Sequence, residues 1–292
     1  MKDKKSIALV LSSGGAKGIA HIGAIEELKR QGYNITSVSG SSIGAVIGGL
    51  LAMGKLEDYT NWIKTLDRRS VWGLMDFSFT SNGLLKGERV FDKMKEFIPD
   101  VKIEDMSLPF TAVASDILNE KEIVFNKGSF YRAARASIAI PAMFTPVNYD
   151  GTFLVDGGIL NPIPIEHVHR TEADLLVVVN LYGEKQPKAE LVGDNDKNKP
   201  KQVEGGLFAA FSNLVATGDK KSLGYISLLT TSSAAMIHKL AKINIDRFKP
   251  DIVIDIPADS ASTFDFHRAD ELLKLGADAA KKAISVVTAK SD

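Results

Sequence analysis

The 292-residue chain contains no cysteine. That excludes a disulfide framework, thiolate zinc sites and a cysteine nucleophile, and it fits a reducing compartment. Net charge is also lacking, since 36 basic residues balance 36 acidic ones. A nucleic-acid partner, which calls for a basic excess, is not expected. No stretch approaches the roughly 18 apolar residues of a membrane span. The apolar run Ile7 to Leu11, behind the basic Met1 to Lys5, is shorter than a signal-peptide core of roughly 7–15 residues. The sequence therefore reads as cytoplasmic, with peripheral contact at the inner membrane surface left open. Neither G-x-G-x-x-G nor H-E-x-x-H occurs, so the dinucleotide fingerprint and the helical zinc site are both missing. Gly49 to Lys55 does match G-x-x-x-x-G-K. There, however, Leu56 stands where a magnesium-binding Ser or Thr belongs, and the glycines bracket a helix.

What is present is an ordinary globular composition, 45% hydrophobic and 25% charged, on a chain long enough to bury a core without metals or disulfides. Ile7 to Leu11 reads as a buried strand, Ser12 to Gly18 as a glycine-rich loop, and Ile19 to Arg30 as a helix closed by Gly32. Thr36 to Ser39 predicts a second strand, and Ile43 to Met53 a second helix ending at Gly54. This order indicates an α/β layer fold with a mostly parallel central sheet. Leu56 to Thr65 and Glu88 to Phe97 look helical, and Phe110 to Ala114 and Glu122 to Phe125 look like a hairpin. Thr152 to Val155, Leu175 to Leu181 and Ile252 to Ile256 look like strands, and Ala269 to Val287 like a closing helix. Gly183 to Gly206 is polar and reads as a mobile loop. The apolar spacing through 207–243 reads as helical: a lid, an acyl-chain wall, a membrane face, a homodimer face, or a hairpin packed on the sheet, with packing the preferred role. Without internal repeats, residues 1–292 read as one domain.

Three short patterns carry chemistry. Gly40-Ser41-Ser42-Ile43-Gly44 matches G-x-S-x-G between a strand and a helix, the context in which a sharp turn exposes a nucleophilic hydroxyl. Ser13 to Gly18 follows the first strand; the backbone N–H groups of Gly14, Gly15 and Ala16 could converge on an oxyanion, with Lys17 adding charge at the rim and the helix from Gly18 adding its dipole. Asp156-Gly157-Gly158 follows another strand and offers a carboxylate as general base. Each also has a plainer reading: an N-cap serine, a phosphate loop or turn, and a turn aspartate. His267 follows Ser42 and Asp156 in the chain order of an α/β-hydrolase triad, although such a nucleophile normally follows several strands rather than about two. His21 reads as structural. His167 and His169, two apart, read as surface residues, and no metal site is expected.

Together these motifs resemble the patatin-like phospholipase family, and its bacterial branch related to the neuropathy target esterase catalytic domain in particular. Gly18 to Gly23, the block Arg135 to Pro141 with Phe144 and Pro146, and Phe264 to Ala280 extend the resemblance over most of the chain outside roughly 183–250. Two positions depart from the family pattern: Ser13 where glycine is usual, and Lys17 where arginine is common. The resemblance implies a three-layer α/β/α fold and a Ser42–Asp156 dyad without histidine. It further implies an oxyanion hole over Gly14, Gly15, Ala16, Lys17 and Gly18, and calcium-independent hydrolysis of lipid acyl esters without a cofactor. A short-chain esterase or thioesterase, or a regulatory protein on the same fold, are the alternatives.

Overall fold

The computed structural model describes residues 5–80, 83–185 and 225–289. Most of the polar 183–206 stretch and residues 207–224 therefore lie outside the described residues. Ten strands and eight α-helices are present among those described. An eight-stranded sheet has the order β10-β9-β1-β2-β5-β8-β7, with β6 also paired to β5. Its strands are β1 (Ser6–Leu11), β2 (Asn34–Ser41), β5 (Phe110–Asp116), β6 (Lys121–Phe125), β7 (Val147–Tyr149), β8 (Thr152–Asp156), β9 (Leu175–Gly183) and β10 (Ile252–Pro257). β10, β9, β1, β2 and β5 run parallel, while β6, β7 and β8 pair antiparallel. A separate hairpin joins β3 (Phe77–Thr80) and β4 (Gly83–Leu85).

Alternation explains why the sheet is covered on both faces. In β1, Ile7, Leu9 and Leu11 enter the larger core, whereas Val10 enters a second core with Leu176 and Val178 of β9. The larger core is built with α1 (Ile19–Arg30), α2 (Ile43–Ala52), α6 (Phe130–Ser137) and α8 (Ala269–Ala289). The second is closed by Ile163 and Ile165 and by the last turns of α7 (Tyr225–Phe248), through Ala241, Ile245 and Phe248. The result is the three-layer α/β/α arrangement expected. Through its first half α7 leaves Leu228 and Leu229 about half exposed and Met236 more so. No helix among the described residues is long and apolar enough to cross a membrane.

Boundaries follow local chemistry. α1 ends where Gly32 takes φ +88°, and α2 where Gly54 takes φ +72°, the left-handed conformation glycine tolerates best. Sequence periodicity missed α4 (Arg68–Gly73), which Asp67 caps by accepting from Ser70 N at 2.7 Å, and also missed α6. Both are less than three turns long, too short for a 3.6-residue period to stand out. α3 (Leu56–Ile63) and α5 (Arg89–Lys95) are shorter than their predicted spans.

The register of β5 positions the rest. One edge of β5, from Ala112 to Asp116, is occupied by β6. On the other edge β2 pairs through Val113, opposite Ser41, and β8 takes over at Ala114, opposite Asp156. Consecutive residues of β5 thus hold the end of β2 and the end of β8 side by side.

Candidate active site

Ser42 follows directly from the end of β2 and is the N-cap of α2, with φ 55° and ψ −126°. A non-glycine residue held there costs of order 1–3 kcal/mol and persists only when its surroundings dictate it. They do. A Cβ on Gly40 would lie 2.3 Å from the Gly44 carbonyl, and one on Gly44 would lie 2.2 Å from Leu11 O. Strand and helix therefore meet backbone to backbone. The Ser42 N–H donates to Ser137 Oγ at 2.8 Å, and Ser137 Oγ donates to Val113 O at 2.6 Å. Ser137 thus locks the turn from α6, a role that its place in the Arg135 to Pro141 block did not disclose.

The Ser42 hydroxyl donates to Asp156 Oδ2 in a short hydrogen bond. Asp156 Oδ1 accepts from Gly158 N at 2.7 Å. The carboxylate is buried, and desolvation raises its pKa to about 7 despite these two donors. Among the described residues no histidine is bonded to it. His267 Nε2 accepts from Arg68 Nε at 3.2 Å instead. His21 is fully buried, its Nε2 meets Ser12 O at 2.9 Å, and burial lowers its pKa to about 4, so it stays neutral. His167, read from sequence as a surface residue, is partly exposed and pairs its Nε2 with Glu122 Oε2 at 2.7 Å.

The glycine-rich loop adjoins this pair, but not every member points where the sequence suggested. Gly15 takes φ +62° and lines the same cavity as Ser42. The N–H groups of Gly14 and Gly15 have no acceptor among the described residues. Ala16 N–H is already given to Thr263 O at 3.0 Å. Lys17 is not at the rim. Its Nζ donates to Leu181 O at 2.8 Å and Ala258 O at 3.1 Å, and burial lowers its pKa to about 8. Gly18 packs on Ile43, where a Cβ would approach to 2.2 Å. Lys17 and Ala16 are thus fasteners of the loop, held by residues more than 160 positions away.

From Ser42 a cavity of about 910 Å3, its mouth included, runs into the molecule. Val46 of α2, Tyr59, Trp62 and Ile63 of α3, Phe91 and Met94 of α5, Ile138 to Phe144, and Phe264 and Phe266 line it. Its one charged lining residue, Asp76, turns its carboxylate to Gly87 N and Glu88 N at 2.7 and 2.8 Å, capping the start of α5. A serine hydroxyl bonded to a carboxylate beside an otherwise apolar wall suits a molecule with a polar group and a long hydrocarbon part.

Residues 9–169 match the family described as patatin-like phospholipase. The chain belongs to that family. An NTE family protein of Mycobacterium tuberculosis is 44% identical over 61% of this chain and 49% of its own length. The lysophospholipase nte1 of Emericella nidulans is 27% identical over 93% of this chain and 18% of its own length. The chain spans about half the length of the mycobacterial relatives it matches. In fold it is similar to VipD from Legionella pneumophila, with a TM-score of 0.50 and 17% identity over 97% of this chain and 67% of VipD. The family match covers the glycine-rich loop, the serine turn and the Asp156 strand together.

Proposed function

We propose that this patatin-like chain is a serine hydrolase of lipid acyl esters, with Ser42 as nucleophile and Asp156 as its only base. One observation carries the reading: the Ser42 hydroxyl, which lines a largely apolar cavity, donates to a buried carboxylate. The hydroxyl gives its proton to Asp156 as Oγ bonds to the ester carbonyl carbon. The carbonyl oxygen becomes an oxyanion, held by the N–H groups of Gly14 and Gly15. Collapse of that intermediate breaks the ester bond, and Asp156 returns the proton to the departing alcohol. A water, losing its proton to Asp156, then attacks acyl-Ser42; the Oγ–acyl bond breaks, Asp156 returns the proton to Ser42 Oγ, and the fatty acid leaves.

Apart from Asp76 the side chains along the cavity are predominantly apolar, which favours a long acyl chain over a short acyl group. The name of the Emericella relative, a lysophospholipase, supports a phospholipid or lysophospholipid as the ester. The same reading keeps residues 1–292 as one catalytic domain acting at a lipid surface. The test is a fluorophosphonate probe on wild type, Ser42→Ala and Asp156→Asn, read by intact mass and peptide mapping. A single adduct on Ser42, absent from Ser42→Ala and slowed in Asp156→Asn, is expected. A folded wild type without an adduct would refute the proposal.

A further inference from the structure

The loop that carries Gly14 and Gly15 is fastened to the end of β9, and the fastening residue nearest the dyad is one that no motif marks. Ser13 Oγ and Tyr182 Oη lie 2.5 Å apart. Ser13 N also donates to Pro162 O at 2.9 Å. The residue before Tyr182 supports the same loop twice: its carbonyl takes Lys17 Nζ, and its side chain fills the space a Cβ on Gly14 would need, 2.6 Å from Leu181 Cδ1. The Lys17 ammonium stands 5.3 Å from the Tyr182 ring centroid, and His238 of α7 covers that ring at 5.9 Å. Tyr182 is partly buried among these groups, and desolvation raises the pKa of its phenol, which stays protonated. Ser13 Oγ in turn lies 2.5 Å from the place a Cβ on Gly158 would take, and Asp156 Oδ1 lies 3.0 Å from that same place. The Ser13 hydroxyl therefore sits between β9 and the loop that presents Asp156.

We propose that Tyr182 is a positioning residue for the oxyanion loop, acting through its hydrogen bond to Ser13. This rests on the Ser42–Asp156 reading above. Two donors stabilise an oxyanion only where they are aimed, and a misplacement of about 1 Å costs up to about 10²-fold in rate. With the phenol gone, Ser13 loses its only side-chain tether to β9, and the residue next to Gly14 gains freedom. Of this loop only Gly15 lines the cavity, so the helical wall that would hold the acyl chain is left alone. The loss therefore falls on kcat and not on KM.

The experiment compares wild type, Tyr182→Phe, Ser13→Ala and the double variant as full chains. It reads kcat and KM on p-nitrophenyl butyrate, the rate of fluorophosphonate attachment to Ser42, and thermal unfolding. Each single variant is expected to lose about tenfold in kcat and in labelling rate, with KM within about twofold of wild type. The double variant is expected to be no worse than either single, because both remove one shared bond. A Tyr182→Phe variant that labels and turns over within about twofold of wild type overturns the proposal alone, as do losses that multiply in the double. A folded wild type that takes no adduct at Ser42 overturns the dyad reading and this one with it.

Discussion

Asp156→Asn separates two consequences of burying one carboxylate. Desolvation lifts the folded-state pKa of Asp156 from the ordinary 3.8 to about 7. Between those values the folded protein holds a proton that the unfolded chain has released. The stability due to that proton is complete below about pH 4 and is lost as pH rises through about 7. At about 1.4 kcal/mol per pKa unit, the gap corresponds to about 4 kcal/mol lost by about pH 8.5. Asparagine keeps the same partners, its Oδ1 accepting from Gly158 N–H and its Nδ2 donating to Ser42 Oγ in the reverse of the wild-type direction, but has no proton to lose. Urea denaturation of both proteins at about pH 5 and pH 8.5 is the assay. Wild type should weaken relative to Asp156→Asn by about 2–4 kcal/mol between the two pH values. The variant, inactive throughout, should be the more stable protein at the higher pH. Wild-type kcat/KM should meanwhile fall on the acid side with an apparent pKa near 7, because the base must be ionised. A stability difference that moves by less than about 0.5 kcal/mol would show that Asp156 is ionised and solvated as an ordinary aspartate, and would refute the reasoning.

Two further substitutions probe the turn and the cavity. Gly44→Ala places a methyl 2.2 Å from Leu11 O, so β1 and α2 must part; a loss of about 1–3 kcal/mol in chemical denaturation and of about 10²-fold in kcat is expected, and an unchanged protein would mean that the close approach is not needed. Val46→Phe puts a ring into the cavity one turn along α2 from Ser42; ester hydrolysis should fall at least about tenfold for long acyl chains while acetyl esters keep their rate, and equal losses for both would place the acyl chain elsewhere.

The serine turn, the glycine loop and Asp156 were legible because each depends on a few adjacent residues whose geometry only small side chains permit. β1, α1 and α2 were legible from continuous apolar runs and terminal glycines. The juxtaposition of Ser42 and Asp156 was not. It arises from β8 replacing β2 along one edge of β5 at Val113 and Ala114, and strand register between distant segments leaves no local mark. The same distance hid the fate of the loop. Nothing near Lys17 announces that Leu181 O and Ala258 O will take its ammonium, or that Thr263 O will take the Ala16 N–H. The cavity went unread because its wall is gathered from α3, α4, α5, residues 138–144 and residues 263–266, and each piece is too short to show a period of its own.

The proposed Ser42–Asp156 dyad also has a physical answer to the question of why no histidine need take part. In a triad, histidine serves as a base because its pKa lies near the working pH, which keeps it free to take a proton and able to return one. An exposed aspartate, near 3.9, would be too weak a base. In the proposed dyad, burial raises Asp156 to about 7, with no cation among the described residues pulling the value back. The carboxylate then meets the requirement that imidazole ordinarily meets, at the cost of stability above neutral pH. A lysine that reaches Asp156 would pull its pKa back toward the ordinary carboxylate value, and with so weak a base kcat/KM for ester hydrolysis should fall.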